Sequence, residues 1–447
     1  MKTDLVPQIH DFLIQLGKQG IKLGLENIIQ LLKNLGNPHH HPRIIHIAGT
    51  NGKGSTLVAL EQLLLCSGFS TGSTISPHLV KYNERFRING AYVSDDLLIE
   101  AYNSVCIACG IDPVTHEDIK NVSRIHPTYF EFSIAIAFVL FRTNNVDYIL
   151  LETGLGGRLD ATNVVENPIA CILTKIAEDH QDYLGNSLSE IATEKLGILK
   201  KGSPLFVSRQ HIAVSNQIRR YCTEHENPIY AFGKEFNFLE DIEDEFVMLQ
   251  NIKIKIPKIG LRGNHQKENI ATALATYYSV VPDSETIDNK SIAHCIKSLK
   301  WNGRLQYLKN KGCNILLDGA HNSDSMEQLI NYLRDNHQKD RILFAIGWMK
   351  GKEFASVLAT ISSLDVTFQP LSNFMDGSES GDRVEHFLQK QNKEVYQTST
   401  VKELLKRVST GKINKFDLVV IAGSLYLVGE FLSLWEVELK SLEEPIA

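Results

Sequence analysis

The sequence lacks an apolar run long enough to cross a membrane as a helix. Near its start, Asp4, His10 and Asp11 interrupt the apolar residues, so the continuous apolar segment of a signal peptide is missing as well. We therefore expect a cytoplasmic protein that has no membrane partner.

A strong excess of charge is also absent, because the formal net charge is -6 and the isoelectric point is about 6.3. This balance argues against nucleic acid or an anionic membrane as the main partner. Apolar residues make up 43% and charged residues 22% of the chain, and low-complexity segments are missing, so the whole chain is predicted to fold. A length of 447 residues exceeds one ordinary core and favours two domains.

Cysteine is scarce and unpatterned. An odd, scattered set is typical of a reducing compartment. Cys106 and Cys109 form the only C-x-x-C, and without a second pair we expect the buried side of a helix there rather than a zinc site. The histidines at 39 to 41 are assigned to a solvated loop. The cysteines are Cys66, Cys106, Cys109, Cys171, Cys222, Cys295 and Cys313.

Short apolar runs alternate with segments of helical period, which predicts βα units around a mostly parallel sheet. Between 222 and 257 the pattern is weaker and indicates antiparallel strands. After Lys300 the rhythm restarts, which predicts a second α/β domain; the domains are residues 1–299 and 300–447, joined at Lys300 to Gly303. Strands are predicted at Ile44–Ala48, Tyr148–Glu152, Ile169–Thr174, Ile315–Asp318, Ile342–Ile346, Val366–Phe368 and Leu418–Ala422, and helices at Lys53–Ser67, Phe130–Phe141, Ser187–Lys200 and Lys267–Val280.

A glycine-rich segment follows the first predicted strand and opens a helix. Glycines let the backbone approach a phosphate, successive N–H groups attract the anion, and Lys53 adds a positive charge. The segment departs from the strict P-loop pattern, because Gly54 separates Lys53 from Ser55 and Ile47 replaces the first glycine. An ordinary strand-to-helix turn does not require this composition, so we predict phosphate binding. Its residues are Gly49, Thr50, Asn51, Gly52, Lys53, Gly54, Ser55 and Thr56.

Polar side chains follow other predicted strands. Glu152 ends one, at the sheet edge where nucleotides bind, and can hold Mg²⁺; a helix-capping acid is the simpler alternative. Asp318 to Asn322 ends the first strand of the second domain, where a glycine turn with an Asn cap is the alternative. His180 follows a third strand and is either a metal ligand or a hydrogen-bonded histidine. Lys195 taken alone is an exposed helix lysine.

Ten segments in order resemble the folylpolyglutamate synthase/dihydrofolate synthase family of the Mur-ligase superfamily. The match spans roughly residues 40 to 425, and SPHL and GLGGRLDATN distinguish the folate branch from cell-wall ligases. The segments are GTNGKGS (49–55), SPHL (76–79), NERFRI (83–88), TYFEF (128–132), LETGLGGRLDATN (151–163), DHQDYLG (179–185), EKLGI (194–198), NHQKENIATA (264–273), NGRLQ (302–306) and DGAHN (318–322).

The resemblance implies an N-terminal P-loop mononucleotide-binding domain and a C-terminal Rossmann-like α/β domain with the site between them. Lys53 and its loop would hold the ATP phosphates. Ser76 and Glu152 would ligate one Mg²⁺, and His180 a second. Lys195 matches a lysine that is usually carbamylated in this superfamily.

The resemblance also assigns residues outside the phosphate loop. Asn269 and Arg304 match contacts to ATP from the interdomain side. Asp318 and His321 match residues of the second domain that reach the reaction centre, and Asp318 also counts among the ATP contacts. Folate contacts are expected at Tyr129, Phe130, Asp160 and Arg85.

The implied reaction is ATP-dependent amide formation, in which phosphorylation of a carboxylate supplies the leaving group that hydroxide cannot be. We predict a monomer that joins L-glutamate both to dihydropteroate and to reduced folates through an acyl phosphate. Pro127 before TYFEF keeps open the alternative of folate elongation alone. A phosphotransferase or plain P-loop NTPase explains Lys53 and Glu152 but leaves the second domain without a role. A non-catalytic nucleotide-binding regulatory module is the third alternative.

Overall fold

A computed structural model describes residues 5–17, 24–119, 124–240, 245–249, 252–256, 259–282, 289–310, 313–350 and 355–442. Within these ranges, no helix combines the length and apolar character that a membrane span requires. The sixteen strands fall into three sheets. They are β1 Ile44–Ala48, β2 Thr71–Thr74, β3 Phe86–Ile88, β4 Ala91–Tyr92, β5 Tyr148–Glu152, β6 Ala170–Leu173, β7 Leu205–Val207, β8 Ile229–Ala231, β9 Phe236–Glu240, β10 Glu245–Leu249, β11 Ile252–Ile256, β12 Gln306–Asn310, β13 Cys313–Leu317, β14 Ile342–Ile346, β15 Thr367–Pro370 and β16 Leu418–Ala422.

Helices cover both faces of the two larger sheets, as expected when strands are apolar on both sides. They are α1 Leu5–Gly17, α2 Glu26–Asn34, α3 Lys53–Cys66, α4 Asp95–Cys109, α5 Tyr129–Thr143, α6 Gln181–Leu184, α7 Leu188–Leu196, α8 Ile212–Glu224, α9 His265–Val280, α10 Asn289–Ser298, α11 Ser323–Asn336, α12 Ala355–Ile361, α13 Gly381–Lys390, α14 Val401–Ser409 and α15 Leu425–Leu442.

The first sheet has the strand order β4-β3-β2-β5-β1-β6-β7-β8 and is parallel from β2 to β8. The central strand β1 therefore lies between β5 and β6, which come later in the chain and flank it on opposite sides. All residues of β1, β5 and β6 are buried. In an open α/β sheet, ligands bind beyond the carboxyl ends of strands at such a switch point. The loops after β1, β5 and β6 carry the predicted phosphate loop, Glu152 and His180.

The second large sheet has the order β12-β13-β16-β14-β15 and is parallel except for the edge strand β12. Strands β9, β10 and β11 form a separate antiparallel sheet. The fold class and these antiparallel strands agree with the predictions, although Pro257 lies outside the described residues. The division at residue 299 remains a proposal.

Predicted and observed elements differ mainly at their ends. The helix predicted to begin at Phe130 begins at Tyr129, because Thr128 and Glu131 form a reciprocal capping box. The helix predicted at Ser187–Lys200 is α7 and ends at Leu196, with Gly197 as its C-terminal cap. Both shifts come from caps and turns rather than from a different hydrophobic period.

One disulfide joins Cys66, at the end of α3, to Cys295 of α10. Their Cα atoms are 6.7 Å apart and the two residues are separated by 229 positions in the sequence. This pairing differs from the reduced cysteines that the spacing indicates. Cys106 and Cys109 are buried on α4 as predicted, and burial raises the pKa of Cys106 to about 12, which disfavours the thiolate that zinc requires.

We expect the disulfide to stabilise the oxidised protein, because it closes a long loop in the unfolded chain. The free energy of unfolding, measured in urea, should be about 2 to 4 kcal/mol higher for the oxidised wild type than for the double variant Cys66→Ser, Cys295→Ser. Reductant should remove the difference and leave the double variant unchanged. If reductant leaves the wild-type curve where it was, the bond does not form in solution.

Candidate active site

The phosphate loop connects β1 to α3 in a conformation that requires glycine. Gly49 has a φ of 152°, and a Cβ atom there would lie 1.8 Å from Oγ1 of Thr174. Gly52 has a φ of 91°, in the left-handed region. The backbone N–H groups of Thr50 and Asn51 both donate to the carbonyl oxygen of Lys175, after β6. The loop is therefore held open by its neighbouring strand.

Lys53 begins α3 and turns its ammonium group back into the loop. The Nζ atom donates to the carbonyl oxygens of Gly49 at 3.2 Å and Thr50 at 3.3 Å. It also lies 3.8 Å from Oε1 of Glu152. The charge thus sits at the mouth of the loop and at the end of β5, where a phosphate would be neutralised.

Glu152 ends β5 as a nearly buried carboxylate, 5% exposed. Its Oε2 accepts a hydrogen bond from the backbone N–H of Ser76 at 3.0 Å. Burial raises its pKa, while Lys53, the Ser76 N–H, Arg304 and Arg85 act in the opposite direction. Ser76 and Glu152 together offer hydroxyl and carboxylate oxygens, the donor type that Mg²⁺ prefers.

Lys195 is a buried lysine, 4% exposed, on the last turn of α7. Its Nζ donates to the carbonyl oxygen of Gly49 at 2.8 Å. Burial, and secondly the charge of Lys53, lowers its pKa to about 7, against the opposing effect of Asp179 and Asp160. The prediction of an exposed helix lysine is wrong for this residue, since it faces the phosphate loop.

His180 follows β6 with a left-handed backbone (φ 53°) and its side chain is 44% exposed. Its Nε2 lies 3.8 Å from Oδ2 of Asp179. Among the described residues, no group of three or more His, Cys, Asp or Glu side chains has the arrangement of a metal site. A divalent ion at Glu152 or His180 would therefore take most of its ligands from substrate and water, as Mg²⁺ usually does.

The second domain faces this edge with Asp318 and His321. Asp318 is 8% exposed and accepts hydrogen bonds from the backbone N–H groups of Leu305 and Ala320, both at 2.9 Å. Burial raises its pKa, opposed first by Arg304. Nδ1 of His321 donates to the carbonyl oxygen of Gly319 at 2.7 Å, and its Nε2 lies 3.3 Å from Oδ2 of Asp179.

Asn269 on α9 also contacts the phosphate loop. A Cβ atom on Gly52 would lie 2.5 Å from its Oδ1, so the amide packs directly against that glycine. Nδ2 of Asn269 donates to Gln266 at 2.9 Å, and Gln266 contacts His265 at 3.1 Å. Burial lowers the pKa of His265 to about 4, so its ring is neutral at physiological pH.

Aromatic residues and one arginine form the far end of the cleft. The guanidinium of Arg85 lies 5.1 Å from the ring centroid of Tyr129 and donates through Nε to Nδ1 of His78 at 2.9 Å. His78 is mostly buried, which lowers its pKa to about 3 and leaves a neutral acceptor. Phe130 packs against Gly154, where a Cβ atom would lie 2.6 Å from its Cζ.

Asp160 is buried, and both of its oxygens accept hydrogen bonds from the protein itself. Oδ2 accepts from the N–H groups of Gly154 and Leu155, and Oδ1 from the N–H and hydroxyl of Thr162. The hydroxyl of Thr162 in turn lies 2.7 Å from Nε2 of His46. These contacts make Asp160 the organiser of the glycine-rich turn after β5; its predicted contact with folate stays a prediction.

A single cavity of about 890 Å³ joins these groups. Every predicted site residue lines it except Thr56, which is fully buried in α3. The sequence interpretation missed several lining residues. Asp179 and Ser424 follow strands and were open to the same argument as Glu152. Asp179, His265 and Gln266 also lie within segments that carry the resemblance. The missed residues are Asp179, Ser424, Lys175, His265, Gln266 and Asp324.

Comparison with known proteins agrees with this geometry. Residues 114–277 match the Mur ligase middle domain and residues 301–434 match the dihydrofolate synthetase C-terminal domain. The dihydrofolate synthase/folylpolyglutamate synthase of Bacillus subtilis is 30% identical over 370 residues, which cover 78% of this chain and 80% of that protein. The probable dihydrofolate synthetase of Schizosaccharomyces pombe is 30% identical over 426 residues, covering 92% and 97%.

A solved structure described as E. coli FolC in complex with DHPP and ADP superimposes with a TM-score of 0.82 at 26% identity, covering 96% of this chain and 98% of that one. A Yersinia pestis enzyme complexed with AMPPNP and Mn ion superimposes with a TM-score of 0.80 at 27% identity. The match covers 96% of this chain and 98% of that one. The chain is an ATP-dependent ligase of the Mur type. It belongs to the dihydrofolate synthase/folylpolyglutamate synthase family.

The position of Lys53 predicts that Lys53→Ala abolishes turnover and leaves the fold intact, because the ammonium group faces the loop rather than a core. Loss of one group that stabilises transition-state charge costs about 10²- to 10³-fold in turnover. ADP release measured on purified protein, with circular dichroism to check folding, tests this. Near-normal ligase activity of the folded variant would place ATP elsewhere.

Proposed function

We propose that the enzyme forms an amide bond between L-glutamate and the carboxylate of dihydropteroate, and that it also adds glutamate to reduced folates. The observation that carries the proposal is the one cavity lined by the phosphate loop, the Arg85 and Tyr129 end, and Asp318 with His321 of the second domain. ATP, a pterin acid and an amino acid thus each have a chemically suitable region within one cleft.

The names of the relatives support both activities. The proteins of Bacillus subtilis and Escherichia coli are each called dihydrofolate synthase/folylpolyglutamate synthase. The C-terminal match to dihydrofolate synthetase, together with the Schizosaccharomyces pombe relative, supports the reaction on dihydropteroate in particular. A structure with Mn, AMPPNP and L-glutamate bound, at 27% identity, supports a nucleotide and L-glutamate as two of the three substrates.

The reaction proceeds in two steps. The substrate carboxylate attacks the γ-phosphorus of ATP, so that ADP leaves and an acyl phosphate forms. The glutamate amine then adds to the carbonyl carbon, and phosphate leaves as the amide forms. Phosphoryl transfer depends chiefly on positioning and charge neutralisation, and Lys53 and Arg304 supply positive charge in this cleft.

The residues around Glu152 fit Mg²⁺, because the carboxylate and the Ser76 hydroxyl are hard oxygen donors. When bound, the ion would neutralise phosphate charge during transfer. We assign Ser76 and Glu152 to one Mg²⁺ and His180 to a second. We propose that His321 or Asp318 assists the amine; the position of His321 Nε2 beside Asp179 in the cleft supports His321.

We also propose that Lys195 is carbamylated in the active enzyme. Its ammonium group and that of Lys53 both donate to the carbonyl oxygen of Gly49, which brings two positive charges together. A neutral Lys195 amine that adds CO₂ and loses a proton becomes an anion, which would relieve this repulsion and attract a metal ion. The lowered pKa of Lys195 supports the step, because only a neutral amine reacts.

For the folate end, Arg85 and the face of Tyr129 provide a cationic and an aromatic partner for an acid that carries a pterin ring. Phe130 adds a second aromatic surface at the entrance of the turn. We also propose Asp160 as a pterin contact, because this residue lines the cavity. The enzyme is further proposed to be a cytoplasmic monomer.

An assay of ADP release with a substrate panel tests the proposed function. Release should require both L-glutamate and 7,8-dihydropteroate, with dihydrofolate as product, and tetrahydrofolate should serve as a second acceptor. ADP release that needs neither substrate indicates a plain NTPase. Extension of tetrahydrofolate without any reaction on dihydropteroate would restrict the enzyme to folate elongation.

The proposed carbamate of Lys195 predicts that the ligase activity depends on pH. Because its pKa is lowered to about 7, the neutral amine predominates above that pH and is lost below it. Activity should therefore fall as the pH drops through about 7, and bicarbonate should partly restore it.

Two variants and a spectroscopic signal separate this effect from others. Lys195→Arg keeps the positive charge but forms no carbamate, and it should lose activity by about 10²-fold or more. ¹³C NMR with labelled bicarbonate should give a carbamate signal in the wild type and none in Lys195→Arg. A fully active Lys195→Ala that ignores bicarbonate would contradict the assignment.

A further inference from the structure

The phosphate loop contacts the second domain through the side chain of Asn51. Its Nδ2 donates to Oδ1 of Asn322 at 3.1 Å, and Nδ2 of Asn322 donates back to Oδ1 of Asn51 at 3.0 Å. The same Nδ2 of Asn51 also donates to Oδ2 of Asp324 at 2.8 Å. The two asparagines are 271 positions apart in the sequence, so this reciprocal amide pair exists only when the domains meet.

The contact uses the whole hydrogen-bonding capacity of the Asn51 side-chain amide nitrogen. Both of its N–H bonds point to acceptors of the second domain, and its oxygen accepts from that domain. The carboxylate of Asp324 fixes which end of the amide is nitrogen, since a carboxylate cannot donate to the amide oxygen. In this arrangement the Asn51 side chain serves the interdomain contact, while the ammonium group of Lys53 lies at the mouth of the loop, where phosphate is expected.

The partner side is rigid. Asn322 is 6% exposed and caps α11, because its Oδ1 accepts from the backbone N–H of Ser325 at 2.9 Å. Nε2 of His321, the residue before Asn322, lies 3.3 Å from Oδ2 of Asp179 in the first domain. The backbone of Asn51 is likewise held, through its hydrogen bond to Lys175. A displacement of α11 is therefore transmitted to the loop rather than absorbed by a flexible side chain.

We propose that Asn51 is a positioning residue that latches the second domain onto the phosphate loop and so protects the acyl phosphate from water. The proposal rests on the proposed ligase function. Water that reaches the acyl phosphate adds to its carbonyl carbon, the bond from that carbon to the phosphate oxygen breaks, and the acid and phosphate are released. ADP is then produced without an amide. A closed cleft suppresses this loss, and the latch favours the closed cleft.

Three variants test the latch. Asn51→Ala removes the three hydrogen bonds, whereas Asn51→Asp keeps the acceptor for Asn322, loses both donated hydrogen bonds and places a carboxylate beside Asp324. Asn322→Asp keeps an acceptor for the helix cap but removes the donor to Asn51. The matched control is Asn336→Ala, an exposed asparagine at the other end of α11.

The measurement is the ratio of ADP released to amide formed. It should be near one in the wild type and in Asn336→Ala, and rise in the order Asn51→Ala, then Asn51→Asp, with Asn322→Asp also raised. The KM for glutamate should rise about tenfold, because fewer enzyme molecules hold the closed cleft that completes the glutamate site. A variant that binds ADP more weakly but keeps a ratio of one would assign Asn51 to nucleotide binding alone and overturn the latch.

Small-angle scattering of the ADP-bound enzyme gives a second readout that does not depend on catalysis. Asn51→Asp should show a larger radius of gyration than the wild type, whereas Asn336→Ala should not. Equal radii for the wild type, Asn51→Asp and Asn336→Ala would contradict the latch. If the wild type forms no amide with any acceptor, the proposed function fails, and the scattering result still decides whether Asn51 holds the domains together.

Discussion

The active site depends on one backbone oxygen, the carbonyl of Gly49, which accepts hydrogen bonds from the ammonium groups of both Lys53 and Lys195. Two cations at one buried oxygen repel each other, and the lowered pKa of Lys195 expresses that conflict together with its burial. The phosphate of a nucleotide would relieve this repulsion, and so would the carbamate that we propose for Lys195. The proposal therefore implies that nucleotide binding and the state of Lys195 are electrostatically coupled.

Much of this site was predictable, because strand ends in an open α/β sheet meet at one edge. The order β5-β1-β6 brings the phosphate loop, Glu152 and Asp179 together, and the buried strands that precede them were visible as apolar runs. The chemistry of the loop followed from its glycines and Lys53. Predicted boundaries were in error by a few residues where a capping box or a C-terminal glycine decided the end.

Other features were beyond the sequence because they depend on how distant segments meet. The Asn51–Asn322 pair and the Cys66–Cys295 bond each join residues more than two hundred positions apart. Lys195 taken alone is indistinguishable from a surface lysine, and only the resemblance marked it; its burial and its hydrogen bond to Gly49 come from tertiary structure. For Asp160 the resemblance predicts a folate contact, and the structure adds the hydrogen bonds that its oxygens accept from Gly154, Leu155 and Thr162. The local sequence pattern predicts which chemical group stands at a position, whereas tertiary structure determines which other groups it contacts.

The turn after β5 shows how a chain of buried polar side chains can shape a binding surface. The hydroxyl group of Thr162 donates its hydrogen bond to Asp160. Because that hydroxyl has no second hydrogen to donate, it must accept a hydrogen bond from Nε2–H of His46. Burial lowers the pKa of His46 to about 3, which keeps the ring neutral and its Nδ1 unprotonated. A neutral, ordered relay therefore fixes Asp160, and Asp160 fixes the N–H groups of Gly154 and Leu155. The turn then presents Gly154 to the ring of Phe130 at a distance that no side chain at position 154 would allow. The turn at the aromatic end of the cleft and the central strand are thus connected by hydrogen bonds whose direction follows from the neutral ring of His46 and the donated hydroxyl of Thr162.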